Sequence, residues 1–194
     1  MDPHHTMALS PVGISALALL NEHDMHPYEM YHLMLARHED RIVRVTPGSL
    51  YRTVDRLTEA GYATATGTAR EGNRPERTTY AITDAGRRAL VERIREILRA
   101  PINEFPSFAL ALSEAHNTPA PAVCEDLRAH LAALDQELTD IDCLVDKAKA
   151  KQVAEAYWIT ADYIRHMTVA QQDWIRGFIT RLEKGDLPWP HPQP

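Results

Sequence analysis

Twelve arginines and no lysine lie between residues 41 and 99, set against seven acidic residues. A guanidinium is a planar fork of donors that matches phosphate oxygens and the acceptor edge of guanine, so such a block is chemistry suited to a polyanion. The formal net charge of -6 conceals it. Residues 1–40 carry one basic residue, Arg37, and six acids, while residues 101–194 carry eight basic and fourteen acidic residues, including every lysine. The competing account of the same arginines is a solvated surface of helical ion pairs, with Arg52 against Asp55 and Arg56 against Glu59.

Other chemistry finds less support. None of the ten histidines has a second at i+4, and neither Cys124 nor Cys143 has a histidine at ligand spacing, so no metal site is expected. There is no Gly-x-Ser-x-Gly elbow, no phosphate-cradling glycine loop and no dinucleotide fingerprint. Neither a cofactor nor an enzyme activity is expected. Two cysteines cannot build a disulfide framework and read as buried, reduced thiols. The longest apolar run, near Ile14–Leu20, is too short to span a membrane, and no signal-peptide pattern opens the chain. The expected location is the cytoplasm.

The basic residues need elements to position them. Residues 1–7 read as a leader or tag-like segment. Ser10-Pro11 is a helix entry, with a side-chain acceptor at the N-cap and proline at the first helical position. A largely buried helix follows over Val12–Leu20. Pro27 opens a second helix, from Tyr28 to about Glu39. Thr46-Pro47 repeats the entry signal, and a third helix from Pro47 to about Ala60 stops at Gly61. Its apolar stripe is Leu50, Val54 and Leu57. Ser49, Arg52 and Arg56 fall together roughly 125° round from that stripe. Two threonine- and tyrosine-rich pieces, Tyr62–Thr68 and Arg77–Ile82, read as a hairpin with a charged tip. Thr83 caps a fourth helix to about Arg99, with Leu90, Ile94 and Ile97 facing inward.

Three helices, a two-stranded wing and a fourth helix make a winged helix-turn-helix. In that architecture the second helix of the turn enters the major groove and its exposed N-terminal half meets base edges. Arg52 is the first candidate for a base contact, with Arg56 beside it. Thr46, Ser49 and the amides of the helix start would hold phosphate. Arg70, Arg74 and Arg77 of the wing would lie along the minor groove or flanking phosphates.

Gly48-Ser49-Leu50-Tyr51 with Leu57 and Gly61, followed by Tyr80-Ala81-Ile82-Thr83-Asp84-Ala85-Gly86, resembles the winged-helix domain of PadR-type transcriptional regulators. The resemblance covers about residues 8–100. It implies that the Gly-Ser-Leu-Tyr segment opens the recognition helix, which adds Tyr51 to the DNA-binding set. It also implies repression, with release by a small effector. Two positions depart from the family pattern. Pro27 stands where a glycine precedes Tyr28 and Glu29, and Arg52 stands where a proline follows the recognition tyrosine, which bears on the bases read. MarR-type regulators share the winged helix and a similar turn, and are the near alternative. A helical interaction module whose winged domain lacks DNA specificity is another.

Beyond a linker at 101–107, residues 108–184 read as a helical dimerisation domain, and 185–194 as a proline-rich tail, expected to be unstructured or extended. Leu127, Leu131, Leu134, Leu138, Ile141 and Val145 alternate spacings of four and three, a heptad seam for lengthwise packing. A partner helix over about 152–184 brings Tyr157, Ile164, Met167, Trp174, Phe178 and Leu182. The expected fold is mainly α, a winged helix followed by antiparallel long helices that dimerise. The alternative for these helices is a hairpin within one chain. A two-fold dimer would match a pseudo-palindromic duplex operator. Tyr157, Trp158 and Tyr163 would line a pocket for a small apolar or aromatic effector, or serve simply as core or dimer seam.

Overall fold

The computed structural model describes residues 8–69 and 77–190. The chain is mainly helical with one two-stranded antiparallel sheet, and it divides into two compact units between Asn103 and Glu104.

In the first unit, α1 (Pro11–Glu22) starts where the Ser10 hydroxyl accepts the Gly13 N–H at 3.2 Å. It buries Ala16, Leu17, Leu19 and Leu20, so it forms the middle of the core. The helix α2 (Pro27–Ala36) starts where His26 Nδ1 accepts the Tyr28 N–H at 2.9 Å. Expected to reach Glu39, it stops at Ala36, because His38 takes a left-handed conformation at φ 58°. That turn leads through a short 3-10 segment, Glu39–Arg41, and brings Val43 back into the core. Arg37 clamps Glu22 with two bonds of 2.5 and 2.8 Å, tying the ends of α1 and α2 together and holding the Glu22 carboxyl below its usual range.

The third helix, α3 (Pro47–Glu59), buries Leu50, Val54 and Leu57 completely. It ends at Gly61, whose φ of 73° is the left-handed geometry that spares glycine the Cβ penalty. The strands β1 (Ala63–Ala69) and β2 (Arg77–Ile82) pair antiparallel, with an irregularity between Ala65 and Gly67. Met25 and Tyr80 exchange two backbone hydrogen bonds of 3.1 Å, so the α1–α2 turn adds a short third rung to the sheet.

The helix α4 (Asp84–Arg99) is capped by Thr83, whose hydroxyl accepts the Gly86 N–H at 3.1 Å and donates to the Gly61 carbonyl at 2.7 Å. Its inward face is shorter than its periodicity predicts. Gly86 and Leu90 are buried, but Ile94 and Ile97 are 39% and 37% exposed. The core beneath α4 ends at Leu90, so the last turns extend past it.

In the second unit, α5 (Ser107–Glu114) precedes the long helices α6 (Ala120–Ala150) and α7 (Ile159–Lys184). Arg128 pairs with Glu183, Asp135 accepts from Gln172 at 2.7 Å and Asp142 accepts from Arg165 at 2.8 Å. Ascending positions on α6 meet descending ones on α7, so the two form an antiparallel hairpin. Val123, Cys124, Leu127 and Leu134 pack on Ile175, Ile179 and Leu182. The expected tail is not loose throughout. Leu187 and Trp189 pack on this core, and Trp189 Nε1 donates to the Thr118 carbonyl at 2.8 Å. One thiol also departs from expectation: Cys124 is buried, but Cys143 is exposed. Among the described residues, no helix is long and apolar enough to cross a membrane.

Candidate nucleic-acid interface

The N-terminus of α3 is built by a reciprocal cap. Thr46 Oγ1 accepts the Ser49 N–H at 3.1 Å, and Ser49 Oγ accepts the Thr46 N–H at 2.9 Å. The Ser49 hydroxyl also donates to the Thr46 carbonyl at 2.9 Å. The two hydroxyls expected to hold phosphate are thus already committed to fixing the helix start. A cap of this kind satisfies donors that would otherwise be unpaired and sets the angle at which the helix leaves the turn.

Beyond the cap, Arg52 and Arg56 are exposed on the face opposite the buried leucines. Among the described residues Arg52 makes no ion pair, so the pairing with Asp55 considered from the sequence is not formed. Asp55 is instead felt by Tyr80, whose hydroxyl is pushed up by burial first and by the Asp55 carboxylate second.

Tyr51 stands on the flank of α3, 40% exposed, with its ring edge-on to His26 at a centroid distance of 5.8 Å. Burial, then the positive charge of Arg77, pushes His26 below its ordinary value. Its Nδ1 is an acceptor for the α2 cap, which a protonated ring cannot be. Next to it, the Arg77 guanidinium lies over the Tyr28 ring at 5.3 Å, and the Tyr28 ring is tilted 57° against His32 at a centroid distance of 4.2 Å. The base of the wing, the start of α2 and the flank of α3 therefore form one contiguous aromatic and basic surface. Sequence reasoning assigned no role to His26 or Tyr28. The signal was a histidine directly before the helix-opening Pro27, in the N-cap position. Arg70 and Arg74 lie outside the described residues.

The remaining expected sites are scattered. Leu127, Leu134, Ile141 and Val145 are buried on α6, with Leu131 and Leu138 half-buried, and the seam packs along α7 of the same chain. On α7 the buried stripe is Thr168, Gln172, Ile175, Ile179 and Leu182. Four of these, Thr168 to Ile179, escaped the sequence reading. Met167 and Trp174 point away from the hairpin core, at 54% and 52% exposure, while Ile164 and Phe178 are half-buried at its margin. Tyr157 and Tyr163 are 84% and 63% exposed. Trp158 is half-buried, its Nε1 donating to the Val153 carbonyl. Among the described residues, no group of three or more His, Cys, Asp or Glu is placed to hold a metal ion.

Residues 16–92 match the model of the transcriptional regulator PadR-like family. No curated protein matches the chain. Bacillus subtilis PadR, solved in complex with operator DNA, superposes with a TM-score of 0.74 at 16% identity, covering 89% of this chain and 99% of that one. The same protein in complex with p-coumaric acid gives a TM-score of 0.67 at 16% identity, over 90% and 98% of the two chains. A PadR-like transcriptional regulator from Bacillus cereus gives 0.63 at 15% identity, over 90% and 99%. At these identities the superpositions show a shared fold.

Proposed function

With residues 16–92 carrying the PadR-like winged helix of transcriptional regulators, we propose that this chain is a homodimeric, cytoplasmic repressor released from duplex DNA by a small effector. Residues 8–100 read the DNA, 101–107 link, and 108–184 dimerise. The observation that carries the reading is α3 itself. Three fully buried side chains fix one face in the core, and the opposite face presents Arg52 and Arg56 to solvent behind a reciprocal cap. Arg52 and Arg56 contact base edges. Tyr51, Thr46 and Ser49 set and flank the helix start, and Arg77, with Arg70 and Arg74 of the wing, follows the phosphates. The PadR neighbour solved on operator DNA supports the DNA partner, and the one solved with p-coumaric acid supports an effector.

Selection of bound fragments from the source genome tests this. The expected yield is a pseudo-palindrome with half-sites about one helical turn, roughly 34–36 Å, apart. Affinity should fall steeply with salt, because each neutralised phosphate releases counterions. Fragments with no common sequence would overturn the specific reading.

The hairpin shifts the candidate dimer face. The α6 seam and the Ile175–Leu182 stripe already cover each other, leaving Ile159, Tyr163, Met167 and Trp174 as an exposed apolar strip along α7. We place the two-fold contact there. Met167→Glu with Trp174→Glu is expected to give folded monomers by sedimentation, with the helical circular dichroism retained. An intact dimer would move the interface elsewhere. Leu134→Glu, by contrast, buries a charge inside one chain and is expected to unfold the hairpin itself.

A further inference from the structure

His26 joins three elements through one ring. Its Nδ1 accepts the Tyr28 N–H at 2.9 Å and so caps α2. The same ring lies 5.8 Å from the Tyr51 ring of α3, at an interplanar angle of 73°. The third element is the wing, whose Arg77 acts on the imidazole by its charge and lies over the neighbouring Tyr28. All of these residues belong to the first unit.

The backbone on either side is pinned. Met25 is buried and exchanges two hydrogen bonds with Tyr80 of β2. Pro27 is fully buried, with its φ locked by the pyrrolidine ring. A change of state at His26 therefore falls on the ring and not on the path of the chain.

A helix start does not need an imidazole. In the same unit α1, α3 and α4 are each capped by a hydroxyl, from Ser10, Thr46 and Thr83. A hydroxyl of that kind does not titrate near neutrality, whereas an imidazole does. Because Nδ1 is the acceptor, the neutral ring carries its proton on Nε2. A second proton would sit on Nδ1 and face the Tyr28 N–H, donor against donor. The first bond inside α2 is made by Met30, so the Tyr28 N–H depends on His26. A protonated ring must turn out of the cap, and turning takes it off the Tyr51 ring.

The groups around the ring decide when this happens. Burial first and Arg77 of β2 second hold His26 below its ordinary value of about 6.5, and Glu29 of α2 works against them. The Glu29 carboxylate also lies 3.7 Å from His23 Nε2, at the end of α1. Tyr51 of α3 and Tyr28 of α2 are the phenols beside the ring. The neutral, capped state therefore holds at pH 7 and is lost as the pH falls through the lowered value.

We propose that His26 is a proton-controlled positioning residue for DNA reading: its neutral ring braces Tyr51, and with it the start of α3 that carries Arg52, and protonation withdraws that brace. The inference rests on the reading of the chain as a DNA-binding regulator. The turned, charged ring adds to the basic surface beside Arg77, so protonation costs discrimination between sequences more than attraction to phosphate.

Fluorescence anisotropy of the full chain on the selected operator, and on a scrambled duplex of equal length, tests this at about pH 7.5 and about pH 5.5 and constant ionic strength. In the wild type the ratio of the two affinities is expected to fall in acid at least about fivefold, the lower end of an ordinary coupling between sites. His26→Asn keeps a cap acceptor that takes up no proton. It is expected to bind the operator more tightly than His26→Ala and more weakly than the wild type, with a ratio that no longer changes with pH. A wild-type ratio that is flat or rises in acid overturns the proposal, as does a His26→Asn ratio that falls like that of the wild type. NMR titration of the His26 ring needs no variant. By reciprocity the ring should titrate lower on the operator than on the scrambled duplex, whose phosphate charge is the same. An equal or higher value on the operator overturns the proposal. A wild-type chain that binds neither duplex overturns the regulator reading and this role with it, whereas specific binding with a flat ratio overturns this role alone.

Discussion

Gly86→Ala is expected to cost about 3 kcal/mol or more, a large share of the roughly 5–15 kcal/mol that stabilises a domain. A Cβ on Gly86 would lie 2.1 Å from the Tyr62 carbonyl oxygen and 2.9 Å from Ile82 Cγ1. The first of these is backbone, and it cannot swing aside. The Tyr62 carbonyl accepts the Thr83 N–H at 3.0 Å, and the Thr83 hydroxyl donates to the Gly61 carbonyl at 2.7 Å. Two hydrogen bonds thus pin the start of α4 to the turn that ends α3, and the added methyl would have to break that seal. Overpacking of a fixed backbone has no low-cost relaxation. The first unit's melting temperature, followed by circular dichroism, should fall by roughly 12 °C or more, at about 4–8 °C per kcal/mol for a domain of this size. Gly48→Ala is the control. Nothing lies within 4 Å of its Cβ position, so it should be neutral or slightly stabilising. A Gly86→Ala protein that melts with the wild type would mean that α4 does not seat where the structure places it.

Arg52→Ala is expected to weaken operator binding by about 1–3 kcal/mol, roughly fivefold to 150-fold, and Arg56→Ala by a similar amount. Both side chains are exposed and carry no part of the core, so the folded state should be untouched and the loss should appear in DNA binding alone. The two kinds of interaction are separable. If Arg52 reads a base, its removal relaxes discrimination at one operator position. If it holds a phosphate, its removal lowers affinity on every sequence and reduces the salt slope by about one. Arg52 stands where the resembled family has proline, so its operator position is where this chain should differ most in sequence preference. If both variants bind the selected operator like the wild type, the outward face of α3 is not the reading surface.

Much of the first unit was legible in the sequence because its boundaries are set by local chemistry. Ser10-Pro11, Thr46-Pro47 and Thr83 each declared a helix start, and each hydroxyl is found accepting the amide three residues on. Gly61 declared the end of α3 through the one conformation glycine adopts without penalty. Leu50, Val54 and Leu57 fixed the buried face, and with it the direction of Arg52 and Arg56. The end of α2 was not legible. His38 takes a positive φ that its residue type only permits, and the demand for it comes from seating Val43 in the core.

The second unit shows the reverse. Its helices were readable as amphipathic, but α7 carries two apolar stripes, Ile175–Ile179–Leu182 and Tyr163–Met167–Trp174. Periodicity reports that a face is apolar and says nothing of what covers it. By spacing alone the α6 seam falls to a second copy, whereas the hairpin covers it with α7 of the same chain. Ile94 and Ile97 were likewise apolar at the correct spacing but lie past the end of the core that would have covered them.

The sequence by itself determined the element order, the caps and the outward arginines of α3, because each is fixed within a few residues along the chain. The tertiary structure alone decided which apolar stripe is spent inside the chain and where α2 gives way to the His38 turn that returns Val43 to the core. Those outcomes depend on distant segments competing for the same surface, and local spacing carries no record of which one wins.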